Sequence, residues 1–192
     1  MSPTAVYAPV PEVRQEPELP TGCESVALTI VLKSLGYDLE KTTVADNYLA
    51  RGDNMAIAYC GNPYSYAGAG AFPPAIVKAA NKFLREKESS KRAYNISGAS
   101  LEDLYDYIRD GYPIILWHTT FMGSTFQTGG SYPYRGMTYS WYANEHCLVL
   151  YGYDKAKNTV LLSDPMAGLV ERDADAFQQI YDTIGKYAVV IK

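Results

Sequence analysis

Two periods divide the chain. Val26–Leu35 is apolar nearly all round the helical wheel, the mark of a helix buried on every side. Gly36 stands where a left-handed residue would stop it. Just ahead, Thr21-x-x-Glu24 reads as a capping box, with Thr21 as N-cap and Glu24 as its N3 partner. A second, short helix is expected near Val44–Leu49. Behind Pro73–Pro74, Ile76, Ala79, Ala80, Phe83 and Leu84 recur at helical spacing. Ser100-x-x-Asp103 is another capping box, Leu101, Leu104, Tyr105 and Ile108 follow on one face, and Gly111 ends that helix. From Pro113 the period shortens. Ile114–Thr120, His146–Tyr153, Thr159–Ser163 and Tyr187–Ile191 read as strands, with a turn at Asp154–Asn158 and a helix over Ala174–Ile184. Residues 61–74, GNPYSYAGAGAFPP, form a long loop, and residues 121–143 a hairpin or surface excursion. Helices first and an antiparallel sheet second make an α+β domain. Pro3, Pro9 and Pro11 give residues 1–14 the character of an extended N-terminal arm, leaving 15–192 as a single domain.

Composition narrows the class. The 192 residues are 47% apolar and 20% charged, the balance of one globular domain. Thr29 interrupts the apolar run Val26–Leu32, well short of the ~18 residues of a membrane span, so no transmembrane segment is expected. A net charge of −4 argues against a nucleic-acid partner, which needs clustered Lys and Arg. Eighteen tyrosines suggest wet binding surfaces as well as core. Three cysteines are too few for a disulfide scaffold, and the odd count leaves one thiol free. Cys60 and Cys147 are expected reduced, a pair between them being the alternative. No metal-ligand spacing and no nucleotide-binding glycine signature is present, so no metal and no cofactor is expected.

The candidate chemistry begins at Cys23, in the first turn of the buried helix. Helix N-terminal N–H groups favour an anion, so a thiolate of lowered pKa is expected there. A base is needed, and only His118 and His146 exist. His146 opens one strand and Asp164 closes the next, so a hairpin brings them together and the carboxylate can fix the imidazole tautomer. His118, mid-strand, reads as structural. Gln15, upstream in the chain, offers a side-chain amide that could join the Cys23 N–H as an oxyanion donor. Cys147 points to the other face of its strand and reads as core; Glu145 reads as a solvated strand-end charge. Tyr64, Tyr66 and Phe72 either wall a substrate cleft or pack on themselves.

The order Gln…Cys…His…Asp, with the segments ELPTGCESVALTIVLKSLGY, GNPYSYAGAGAFPP, GYPIILWHTT, EHCLVLYGYD and VLLSDPMAG, resembles the papain-like cysteine peptidases. It is most similar to stand-alone bacterial relatives of the bacteriocin-leader-processing peptidases, cysteine peptidase family thirty-nine. The resemblance implies a papain-like fold whose nucleophile helix packs on a C-terminal antiparallel sheet. By position it implies Cys23 as nucleophile, His146 as base and acid, Asp164 as orienting residue and Gln15 as oxyanion donor. It further implies hydrolysis of a peptide or related amide through a thioester, without a cofactor. An acyltransferase or amidase on the same residues, or a non-catalytic peptide- or wall-binding module, are the rival readings. An exported or envelope-associated location follows from the resemblance alone; the first fifteen residues carry no export signal and fit a cytoplasmic protein equally.

Overall fold

The computed structural model describes residues 4–192, apart from the side chains of residues 127–129; Pro3 lies outside the described residues. Its spine is an antiparallel sheet in the order β2 (Ala93–Asn95), β9 (Ala188–Ile191), β3 (Ile114–Thr119), β6 (Glu145–Asp154), β7 (Thr159–Asp164) and β8 (Gly168–Asp173). A seventh strand, β1 (Ala5–Tyr7), comes from the N-terminal arm and pairs with Gly152–Asp154 of β6, continuing the edge that β3 occupies along Glu145–Leu150. β6 is therefore the central strand, and it is apolar on both faces because both are covered.

Alternation along β6 feeds two cores. Cys147 and Val149 face α1 (Cys23–Ser34) and α3 (Pro73–Glu86), with Trp117 of β3 beside them. Leu148 and Leu150 face α4 (Leu101–Arg109) and α5 (Ala174–Ile184), with Phe177 and Tyr181. Helices thus lie on both faces of the sheet, and the helix that opens with Cys23 packs on β6. The remaining helix, α2 (Thr43–Asn47), is short. β4 (Gln127–Tyr134) and β5 (Met137–Tyr142) make a separate hairpin, the excursion expected over 121–143. Among the described residues no helix is long and apolar enough to cross a membrane.

Most local signals act as expected. Residues Glu24–Leu32 of α1 are all buried, and Gly36, at φ +90°, closes the helix with Tyr37 N–H returning to Leu32 O at 3.2 Å. Ser100 and Asp103 make both bonds of a capping box, Asp103 N to Ser100 Oγ at 3.2 Å and Ser100 N to Asp103 Oδ2 at 2.8 Å. The Thr21–Glu24 box does not form. The N-cap of α1 is Gly22, without a side-chain cap. Thr21 Oγ1 instead donates to Ser65 O at 2.9 Å, and Glu24 accepts Ala71 N–H at 2.8 Å. Both side chains of the false box are drawn off by the 61–72 loop, which folds over the helix end. Strands β2 and β8 were not foreseen: one is three residues, and the other, GLVERD, carries its charges outward on a sheet edge.

Candidate active site

His146 and Asp164 lie 18 residues apart and 2.6 Å apart, Nε2 to Oδ1, both almost wholly buried. The β6–β7 ladder ends at Val149–Ser163, so the two residues lie just past its last rung. Asp164 Oδ1 also accepts Met166 N–H at 2.7 Å and Ala167 N–H at 3.2 Å, the turn before β8. Burial alone would raise this carboxyl; the imidazole and the two N–H groups outweigh it and hold Asp164 below its ordinary value. With Nε2 bonded to the carboxylate, Nδ1 is the ring nitrogen left for chemistry. Opposite His146 on β3 stands His118, fully buried, stacked on Phe177 at 4.5 Å and bonded through Nε2 to Phe177 O at 3.1 Å. Desolvation pushes it down to about 4, so it stays neutral and structural.

The thiol meets the same strand one residue further on. Cys147 N–H donates to Cys23 Sγ at 3.4 Å. The other partner of the sulfur is the neighbouring Glu24 carboxyl, Sγ to Oε2 at 3.4 Å. Neither is the imidazole: the thiol and His146 share no direct hydrogen bond. Nor is the thiol lowered. Desolvation raises it, the Glu24 charge raises it further, and the Cys147 N–H only partly compensates. Helix position predicted the opposite; burial, with the Glu24 charge one residue away adding to it, raises the thiol instead.

Glu24 and Glu145 are the residues that the sequence reading missed. Glu24 is 1% exposed, and burial lifts its carboxyl to about 7 against the Ala71 N–H and the nearby His146, which pull it down. Glu145 is half-buried rather than solvated, and desolvation together with the Glu24 charge raises it well above the usual range. The available signal was a carboxylate at the head of a helix that is otherwise apolar all round. Cys147 is fully buried in the α1-side core, and all three thiols are free.

Gln15 is 2% exposed. Its Nε2 donates to Pro20 O at 2.7 Å, its main-chain N–H to Pro165 O at 2.9 Å, and its Oε1 has no partner. It thus ties the turn leading into Cys23 to the residue after Asp164. One of its two amide N–H bonds is committed to Pro20, leaving the other. Tyr64 and Tyr66 are exposed, their hydroxyls on Asp46 (2.5 Å) and Glu16 (3.3 Å). Phe72 walls no cleft. It is fully buried, with Tyr139 stacked on it at 5.3 Å and Tyr132 at 5.9 Å, because the β4–β5 hairpin folds back over it. A cavity of about 640 Å³ lies between α3 and that hairpin, lined among others by Ile57, Lys78, Tyr134 and Arg135, and touches none of Cys23, His146 or Asp164. Among the described residues no three His, Cys, Asp or Glu side chains are placed to hold a metal ion.

A Cys-headed helix set against adjacent strands that supply a His–Asp pair, on a mixed helix and antiparallel-sheet frame, is the papain-like peptidase architecture. Residues 7–189 match the Peptidase_C39 like family, and the chain belongs to it. The uncharacterized protein YvpB of Bacillus subtilis (strain 168) is 28% identical over 92% of this chain and 71% of its own length. A crystal structure assigned to a C39-like peptidase of Bacillus anthracis superposes with a TM-score of 0.82 over 98% of this chain and 97% of that one, at 24% identity. A double glycine motif protease from an AMS/PCAT transporter, solved with its leader peptide, superposes at 0.57 over 97% and 94%, at 18% identity. These likenesses show the C39 papain-like fold.

Proposed function

We propose that the protein is a cysteine peptidase that cleaves a peptide or related amide through a thioester on Cys23. The observation that carries this reading is the buried His146–Asp164 pair, whose His146 lies on the strand whose next N–H touches the Cys23 sulfur. Family membership supports it, as does the leader peptide held by the transporter protease of the same fold.

In this reading the Cys23 S–H proton passes to His146 Nδ1 as sulfur attacks the substrate carbonyl carbon. Asp164 stabilises the imidazolium. The tetrahedral oxyanion lies at the N-terminus of α1, where the Cys23 N–H is one of the orphan helix donors, and the free Gln15 amide N–H is the second donor. Collapse breaks the C–N bond, and the leaving amine takes the proton from His146. Water, deprotonated by His146, then hydrolyses the thioester. Hydrogen bonds that are loose in a free enzyme tighten when substrate excludes water.

The test is to capture the acyl group. Incubation with a peptide library followed by intact-mass measurement should show an adduct on Cys23, absent from Cys23→Ala. Added amines distinguish hydrolysis from transfer, since a transferase yields the new amide. A protein that never acquires an adduct and only retains intact peptides is a binding module instead.

A further inference from the structure

The buried carboxyl of Glu24 is hydrogen-bonded to the reactive sulfur, and the triad chemistry leaves it unused. One of its oxygens is fixed by the main chain. Oε1 accepts the Ala71 N–H at 2.8 Å. Ala71 is itself pinned, its carbonyl accepting Trp117 Nε1–H at 2.9 Å. Gly70 makes room: a Cβ there would lie 2.7 Å from Glu24 Oε1. That leaves Oε2 aimed at Cys23 Sγ, 3.4 Å away. With one oxygen fixed as an acceptor, a proton on this carboxyl must reside on Oε2, facing sulfur.

Resting on the peptidase reading, we propose that Glu24 works as the neutral acid, donating its Oε2–H to the Cys23 thiolate, and that its ionisation switches the thiol off. The same 3.4 Å contact serves two proton arrangements. With Glu24 neutral, the Cys23 proton moves to His146 Nδ1, and Oε2–H donates to the sulfur anion. With Glu24 ionised, the direction reverses: S–H donates to Oε2, and the adjacent negative charge holds the sulfur as thiol. No proton is gained or lost by Glu24 in the catalytic cycle itself. Burial moves this carboxyl to about 7, so both arrangements fall within the ordinary working range.

The groups that face Glu24 are consistent with this assignment. Cys23 adjoins it on α1. Tyr59 and Cys147 are pushed up by desolvation and stay neutral throughout. Glu145 on β6 is raised by desolvation and by the Glu24 charge. His146, also on β6, favours the carboxylate. The reactive state therefore belongs to the acid side of neutrality, and closes as the Glu24 proton leaves.

The experiment is the second-order rate of Cys23 alkylation by iodoacetamide from pH 4.5 to 9.5, resolved by peptide mass spectrometry from Cys60 and Cys147. Wild-type, Glu24→Gln and His146→Ala proteins are compared. Gln keeps an acceptor for Ala71 and puts a permanent N–H donor on the sulfur. In the wild type the Cys23 rate is expected to fall at least tenfold between pH 6 and 8.5. In Glu24→Gln it stays high across that span, at least tenfold above wild type at pH 8.5. A wild-type rate that rises steadily from pH 6 to 9.5 overturns the proposal without any variant. So does a Glu24→Gln profile that superimposes on wild type while His146→Ala still slows Cys23. If His146→Ala changes nothing and Cys23 reacts no faster than Cys60, the peptidase reading fails, and this inference with it.

Discussion

Asp164 Oδ1 receives three donors at once: the His146 ring at 2.6 Å and the Met166 and Ala167 N–H groups at 2.7 and 3.2 Å. One buried oxygen thus orients the imidazole and ends β7. Asp164→Asn keeps an acceptor oxygen there and removes only the charge. It should lose only the stability that the ionised carboxylate adds at neutral pH, less than Asp164→Ala loses, while lowering His146-dependent Cys23 reactivity at least tenfold. Asp164→Ala strips all three donors of their acceptor and should add a stability loss of about 1–3 kcal/mol. Denaturant titration and alkylation rates on both variants check this split.

Thr21 ties the chain just before Cys23 to the 61–72 loop rather than capping α1. Its hydroxyl donates to Ser65 O at 2.9 Å, and its main-chain carbonyl accepts Tyr59 Oη–H at 2.6 Å. Thr21→Val is therefore expected to cost about 1 kcal/mol and to speed hydrogen exchange in residues 61–70, with α1 unchanged. Ser100→Ala, at a true cap, should cost ~0.5–2 kcal/mol and fray the first turn of α4. Exchange rates that rise in α1 on Thr21→Val would contradict the assignment.

The contrast between those two boxes shows what was legible in the chain. Ser100–Asp103 sits on an exposed helix end, where nothing competes for the side chains, and local pattern decides. Thr21–Glu24 sits at a buried end, where Ala71, Ser65 and Tyr59 offer partners distant in sequence. The same physics hid the role of Phe72, which is set by a hairpin some sixty residues later. α5 and the His146–Asp164 approach were readable because each depends on local period and one short turn. The thiol environment was not, since its burial depends on a loop distant in sequence and the carboxylate beside it had been absorbed into a false cap.

Glu24 also ties fold stability to pH, with a definite sign. Its folded value, about 7, lies above the ordinary carboxyl value of 4.5. Between these values the native state holds a proton that the unfolded chain has released, so stability falls as pH rises through this window. The loss is on the order of 3 kcal/mol by pH 7. Asp164 acts oppositely: its lowered value stabilises the fold above the unfolded carboxyl pKa, and that contribution disappears as acid protonates it. Unfolding free energies from pH 4.5 to 7.5 should decline in wild type and decline less steeply in Glu24→Gln, the slope that remains belonging to Glu145, whose carboxyl burial also raises. An equal slope in both proteins would place the titrating group elsewhere.

The most direct measurement is competitive labelling of the three free thiols with limiting iodoacetamide at pH 6, mapped by peptide mass spectrometry. An unperturbed thiol there is less than ~1% ionised. Cys23, with His146 to take its proton and a neutral Glu24 beside it, should be labelled more than tenfold ahead of Cys60 and Cys147, and His146→Ala should erase most of that lead. Equal labelling of the three, or Cys60 reacting first, would contradict Cys23 as the nucleophile.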